Sequence, residues 1–356
     1  MASSMTGEQT QALAERLEPL SPKGLGASAA VVAVILGIIS FVVVSLRVYV
    51  RWGKTKASSR VLGADDLLAV LSMGIFMPAV AFTILAVRYG VGAHDADIPS
   101  PLYLILAVKY QTIWELLYFV SSTIVKCSIG LACTRLDSRK KIIIPLHVNM
   151  LVMVVVTILA LIFVFVNCQP FAATWNPALG TCQTTVTLQT VSYVVSAIQM
   201  VTDWTCAILP VFIVTNLQMN RRTKVSVIFI LGLGIFASIA TCVRMPYLKY
   251  YDTKKYPTEI AYHLGVISIT SNIECSLGII ASSLPPLRKL FKFYYGSSDA
   301  SGYNATGDAV NGLESAGAGF RLNSLNGQEE QYHVSVQGTS SSVTDLKKDD
   351  DASSST

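Results

Sequence analysis

The apolar positions of this chain fall into seven long blocks separated by short polar connections. A hydrocarbon core about 30 Å thick is crossed by roughly 20 apolar residues in helical form. Seven stretches satisfy this: Ala27–Leu46, Leu67–Val87, Thr112–Cys133, Ile142–Val166, Gln189–Thr215, Val225–Tyr247 and Ala261–Leu284. The fourth, IIIPLHVNMLVMVVVTILALIFVFV, is the clearest. The third is the weakest. Its Leu, Ile, Phe and Val residues favour insertion by roughly 3 to 5 kcal/mol in sum, while Glu115 and Lys126 together cost about 5 to 7 kcal/mol. Such a helix is expected to insert only with its charges turned toward neighbouring helices.

Composition strengthens this reading. Hydrophobic residues make up 52% of the 356 positions and charged residues 14%, with a mean hydropathy of +0.52. A soluble domain carries about 25% charged residues, so polar side chains are too few here to cover a water-facing surface. The formal charge of +5 therefore reads as membrane topology and not as a nucleic-acid partner. Basic residues cluster at Arg47–Arg60, Arg135–Lys141, Arg221–Lys224 and Arg288–Lys292, which all fall on one side if there are seven spans. The intervening connections are poorer, with Arg88 alone in the second and none in the fourth; Lys249, Lys254 and Lys255 in the sixth run against the trend. Basic loops stay in the cytosol. The expected fold is thus an all-α membrane protein: a seven-transmembrane helix bundle with its N-terminus outside and its C-terminus cytosolic.

Three regions follow from this pattern. Residues 1–26 form a short outer segment, with Glu8, Glu15 and Glu18 and no basic start of the kind a signal peptide needs. Residues 27–292 form the transmembrane domain. Residues 293–356, rich in Ser, Gly and Asp, bury too little apolar surface to fold and read as a disordered cytosolic tail. The sequon Asn304-Ala-Thr306 lies in that tail, where it is expected to stay unglycosylated.

The candidate chemistry sits in the charged exceptions. Glu115 and Lys126 are eleven residues apart on the third helix and so share a face, with Ser122 between them. Asp203 lies in the fifth helix, Arg244 toward the end of the sixth, and Ser271, Glu274 and Gly278 form a stripe on the seventh. The depths of these residues predict an inner cluster of Lys126 with Asp203 or Glu274 and an outer pair of Glu115 with Arg244. Ionisable groups inside spans point to function by default; the competing reading is that they only fix helix register. The uncharged fourth connection, NCQPFAATWNPALGTCQTTV, carries Cys168 and Cys182 on the oxidising side. A disulfide is expected there, holding Trp175 against the helix ends. In the second connection, His94 and Asp97 are candidates for an outer-loop site, although loop chemistry alone explains them. Asp65 and Asp66 are expected to cap the second helix. The seven cysteines show no zinc spacing, and neither a metalloprotease nor a phosphate-loop motif occurs. No metal, cofactor or enzyme activity is expected. The seventh helix contains no lysine, so a retinal Schiff base has no attachment point.

Ordered fragments then carry a resemblance. These are GVGAH after the second helix, KCSIG and TRL on the third, and Cys168-Gln-Pro with Trp175 and Cys182. DWTCAILPVFIVTNLQM from Asp203, LGLGIFASIATCV before Arg244, and IECSLGIIASSLPPLRKLF at 273–291 complete the set. Over residues 30 to 295 the chain resembles the fungal rhodopsin-like family of seven-span integral membrane proteins. It departs from the family pattern at Thr270, where a tryptophan is usual, at Ser283 in place of a cysteine, and at Arg288-Lys289-Leu290-Phe291, where a basic-Pro-Leu-Phe ending is usual. These departures bear on the ligand more than on the fold, and no cysteine-rich outer domain is evident. The resemblance implies a receptor-like role. The expectation is a plasma-membrane sensor, solvated by the lipid bilayer, that takes a small-molecule ligand between helices three, five, six and seven. The loops Arg135–Lys141 and Gln218–Lys224 would face a cytosolic signalling partner. The alternative is a small-molecule or ion transporter, or an accessory protein of a secondary-metabolite pathway, with Lys126, Asp203 and Glu274 as relay groups. No internal repeat supports it.

Overall fold

The computed structural model describes residues 6–52, 63–136, 140–182, 188–215, 221–251 and 258–296. The expected cytosolic tail from 297 onward lies outside the described residues, as do 137–139 and 216–220 within the two loops assigned to a signalling partner. Eight α-helices are described: α1 (Gly7–Ala14), α2 (Gly24–Arg51), α3 (Ala64–Arg88), α4 (Leu102–Leu136), α5 (Lys140–Asn167), α6 (Leu188–Thr215), α7 (Arg221–Arg244) and α8 (Ile260–Gly296). Among the described residues, five helical stretches are long and apolar enough to cross a membrane: Gly24–Arg51, Ala64–Arg88, Leu102–Thr134, Ile143–Asn167 and Ile260–Pro285. Helices α6 and α7, of 28 and 24 residues, occupy the positions of the fifth and sixth expected spans.

The burial pattern is that of a bundle surrounded by an apolar medium. Large apolar side chains such as Val31, Ile35, Ile38 and Phe41 on α2, and Leu151, Val155, Ile158 and Ile162 on α5, point outward and are exposed. Small and hydroxylated residues turn inward instead, among them Ala33, Ser40, Ala69, Ser72, Ala79, Ser121 and Ser128. Only 17% of the central stretch of α5 is buried against 67% for α8, so α5 lies at the periphery and α8 near the middle. Helix α4 packs along α3, and both α2 and α7 pack against α8. In lipid, apolar side chains gain nothing by facing each other, so close backbone approach and interhelical hydrogen bonds carry the packing. Accordingly, Ser121 Oγ donates to the Ser72 carbonyl at 3.0 Å, and Asn272 Nδ2 donates to Thr83 Oγ1 at 3.2 Å. The Thr123 and Thr157 hydroxyls meet at 2.6 Å between α4 and α5.

One close approach explains the glycines of the second connection. Gly92 has φ +86, a left-handed conformation, and its N–H donates to the Ala261 carbonyl at 2.7 Å. A Cβ on Gly92 would sit 2.6 Å from Gly26 Cα, and one on Gly265 would sit 2.6 Å from Gly92 Cα. The start of α2, the turn after α3 and the start of α8 therefore interlock without side chains.

Several helices are longer than expected. Helix α4 begins at Leu102 rather than Thr112, because its two early polar side chains find partners at the bundle end. Lys109 Nζ lies 2.8 Å from Glu15 Oε1, and the Tyr103 hydroxyl donates to the Glu18 carbonyl at 3.0 Å. The segment before α2 is consequently folded onto the bundle: Asn176 Nδ2 donates to the Gly7 carbonyl at 2.9 Å, and Leu20 N–H to the Arg88 carbonyl at 2.7 Å. Between α5 and α6 a two-residue ribbon, β1 (Cys168–Gln169) paired antiparallel with β2 (Thr181–Cys182), is closed by the Cys168–Cys182 disulfide. Trp175 lies beside it and meets Phe171 edge-on at 5.1 Å, which in turn packs on Phe165 of α5.

Candidate functional site

The interior of the bundle holds a continuous polar chain built from helix-spaced residues. Tyr118 and Lys126 lie eight apart on α4, Ser196, Gln199 and Asp203 fall at i, i+3 and i+7 on α6, Thr241 and Arg244 share a face of α7, and Ser271 and Glu274 one of α8. Each set therefore presents one stripe inward. Lys126 Nζ sits 2.8 Å from Asp203 Oδ1 and 3.3 Å from Glu274 Oε1, with all three side chains at most 10% exposed. Glu274 Oε2 accepts from the Tyr118 hydroxyl at 2.8 Å. That same hydroxyl accepts from Arg244 Nη1 at 2.8 Å, so Tyr118 bridges carboxylate and guanidinium. Arg244 also donates to Ser271 Oγ at 3.1 Å, Ser196 Oγ at 3.0 Å and Gln199 Oε1 at 2.9 Å. Two cations and two carboxylates thus balance to zero net charge, which is the condition under which buried ions are tolerated. The network joins α4, α6, α7 and α8.

Sequence reasoning placed Lys126 beside Asp203 or Glu274, and both contacts are present. The expected outer pair of Glu115 with Arg244 is not an ion pair. The guanidinium is taken up by Tyr118, Ser271, Ser196 and Gln199, and Glu115 stands one turn before Tyr118 on α4. Glu115 and Arg244 line one small pocket together without an ion pair, and Glu115 also lines a cavity of about 100 Å³ with Tyr250, Tyr251 and Thr174. Ser122, expected on the charged stripe, is buried without a hydrogen-bond partner. His94 and Asp97 both line one cavity of about 190 Å³ beside Lys23 and Gly92, but they are held differently. His94 Nδ1 lies 2.9 Å from Glu259 Oε2 and its ring stacks on Tyr262, whereas Asp97 ends a short 3₁₀ turn, Asp95–Asp97. Glu259, at φ 59, is pinned from the other side by Asp95 Oδ2, which accepts its N–H at 2.7 Å.

A second charged cluster escaped the sequence reading. Arg47 was counted among the basic residues of the first loop, but its side chain is fully buried. Helix α2 runs on to Arg51, and the start of α3 folds back against it. Arg47 Nη2 and Nε lie 2.8 Å from Asp65 Oδ2 and Asp66 Oδ1, and Nη1 donates to the Ser282 carbonyl of α8. Arg51 lies 3.1 Å from Asp66 Oδ2. Asp66 also accepts from the Gly63 N–H at 3.1 Å, so the capping role expected of this pair is present alongside the ionic one. The usable signal was Arg-x-x-x-Arg at the end of one apolar run facing Asp-Asp at the start of the next. Ser271, placed from sequence on one stripe with Glu274, proves to be a partner of Arg244, whereas Tyr118, Gln199 and Ser196 were missed because uncharged polar residues are common in spans and none of the three stands out.

A helical bundle with apolar side chains outside, ions paired inside and several membrane-length helices defines a multi-pass integral membrane protein. Residues 46–293 match the family model of the fungal rhodopsin domain, and the chain belongs to that family. It is similar to a protein of Emericella nidulans named SAT4 family membrane protein, at 30% identity over 223 residues, covering 61% of this chain and 54% of that one. The chain thus spans about half the length of this curated relative. No solved structure matches it.

Proposed function

We propose that the protein is a receptor-like sensor with seven spans, its disulfide loop outside the cell, its basic loops in the cytosol, and the plasma membrane as its site of action. The observation that carries this reading is the Lys126–Asp203–Glu274–Tyr118–Arg244 network, which bonds α4, α6, α7 and α8 into one unit. A paired interior network of this kind has two discrete arrangements, bonded and broken, which is what a switch element needs. A ligand that favours one arrangement shifts the population toward it. The helix ends away from the disulfide loop, Leu136 of α4 and Arg221 of α7, then move relative to each other and re-present the basic loops Arg135–Lys141 and Gln218–Lys224 to a cytosolic partner.

The buried carboxylates also support transport as a second reading, since Asp203 and Glu274 face one lysine and such groups serve as relays in transporters. One experiment separates the two. The full chain is reconstituted in lipid, with spin labels at the Leu136 end of α4 and the Arg221 end of α7. Glu274→Gln is expected to shift the distance distribution between the labels while proteoliposomes carry no proton or cation flux with either protein. A flux present in the natural chain and lost in Glu274→Gln, with the distances unchanged, overturns the sensor reading in favour of transport.

A further inference from the structure

The cavity at Glu115 lies where α4, the disulfide loop, the 3₁₀ segment Met245–Tyr251 and the start of α8 meet. Its polar groups are unusually idle. Gln111 is 2% exposed, and its Oε1 accepts from Ser268, but its Nε2 has no partner. The Thr174 hydroxyl on the same wall is likewise buried without a hydrogen bond, and the Tyr251 hydroxyl lies against Glu115. Glu115 brings a carboxylate to this space, and no cation among the described residues forms an ion pair with it. The remaining surface is apolar and aromatic, with Phe119, Leu116 and Leu264 opposite Tyr250. Idle buried donors are costly, and a carboxylate without a cation in a membrane costs more. A site so arranged gains by taking up a molecule that meets both needs.

We propose that this cavity binds a small organic ammonium ion. The protonated amine sits against the Glu115 carboxylate and the Tyr251 ring, whose quadrupole adds to the attraction; the Tyr250 ring is already stacked on His263 and carries Lys249 Nζ 4.9 Å from its centroid. The hydrocarbon body lies on Phe119, Leu116 and Leu264. An anion is repelled by Glu115, and a wholly apolar molecule leaves that carboxylate unpaired. Size narrows the class further. A cavity of about 100 Å³ is somewhat smaller than the roughly 150 Å³ apolar cavity that takes up benzene, so a compact monoamine fits and a large alkaloid does not. The inference rests on the sensor reading for its consequence, because an ammonium seated one turn from Tyr118 would bias the charge network beneath it.

The test uses the full chain in lipid nanodiscs, with empty nanodiscs as the background. Calorimetric titration with isobutylamine, which is smaller than benzene, is compared with its neutral counterpart, isobutanol. A hydrogen bond to a charged group is the stronger kind, so isobutylamine is expected to bind at least about ten-fold tighter. Glu115→Gln should reduce it to the level of the alcohol. Leu116→Trp, which fills the cavity without touching the carboxylate, should abolish binding of both, and serves as the second variant if Glu115→Gln does not fold. Equal affinity for amine and alcohol, or amine binding unchanged in either variant, overturns the proposal. Binding is read separately from helix movement. Specific amine binding with unchanged spin-label distances upholds this site and sinks the sensor reading, whereas absent binding sinks this site alone.

Discussion

At the scale of single residues, the protein keeps most of its described buried ions in a medium that penalises them by pairing them, with Glu115 as the exception. Arg47 shows how much hangs on one side chain. Its guanidinium meets Asp65, Asp66 and the Ser282 carbonyl, so one group ties α2, α3 and α8 together. Removing one partner from a buried ion pair costs about 3–5 kcal/mol, because the charge left behind cannot return to water. Arg47→Met is therefore expected to lower the melting temperature in detergent sharply, and adding Asp65→Asn and Asp66→Asn should restore part of the loss. A single variant that melts with the natural chain would mean that Arg51 alone compensates both carboxylates. Legibility at this scale followed charge. Lys126, Asp203 and Glu274 stood out because ions are rare in apolar runs, and their depths placed them near one another. Arg47 did not, since a basic residue just past a hydrophobic block looks like loop topology until the opposing aspartates are seen to fold back.

Elements are held by two devices of different strength. The first is steric. Gly92 combines a left-handed backbone with a 2.6 Å approach to Gly26, so Gly92→Ala is strained twice and should destabilise the start of α8 strongly. Gly74, within α3, has nothing near its missing Cβ, and Gly74→Ala should be neutral or slightly stabilising through helix propensity. Thermal melts of the two variants side by side check this, and equal losses would count against the interlock. The second device is electrostatic and weak. The hydrogen bond and charge of Lys109 hold the Glu15 carboxyl below its ordinary range. A carboxyl lowered on folding stabilises the folded state above its unfolded value, near pH 4.3, and that contribution is lost as pH falls through the lower folded value. Glu15 is half exposed, so the contribution is below about 1 kcal/mol. Amide protection in α1 should therefore drop modestly on acidification in the natural chain, and the step should vanish in Lys109→Met. An identical step in both would place the pH response elsewhere. The α1 segment was read from sequence only as a short outer stretch, because its fold comes from contacts with Asn176, Arg88 and Lys109 that no local pattern reveals.

For the whole molecule, the decisive property is an inverted polarity, with apolar residues outside and hydroxyls, amides and ions inside. Hydropathy made that much legible, because the length of an apolar run is a local quantity, and ordered fragments such as Cys168-Gln-Pro and IECSLGIIASSLPPLRKLF made the family legible. The disulfide was legible for a similar reason, as two cysteines bracket a short uncharged connection. What the interior charges contact was legible only in part, since contact depends on rotation and depth of helices that sequence periodicity fixes to within a turn. That tolerance separates a Glu115–Arg244 pair from what is found, an arginine absorbed by Tyr118 and a glutamate left facing a cavity.

The central claim is that Lys126, Asp203, Glu274 and Arg244 act as one charge-balanced unit. A double-mutant cycle on its closest pair, at 2.8 Å, tests it most directly. Unfolding free energies of Lys126→Met, Asp203→Asn and the double variant would be measured by reversible denaturation in mixed micelles. Each single change leaves one net buried charge and should cost about 3 kcal/mol or more. The double variant restores balance and should cost less than the sum of the two, with a coupling of at least about 1.5 kcal/mol. Costs that add to within about 0.5 kcal/mol would show that the two groups do not depend on each other, and the account of the network would fail.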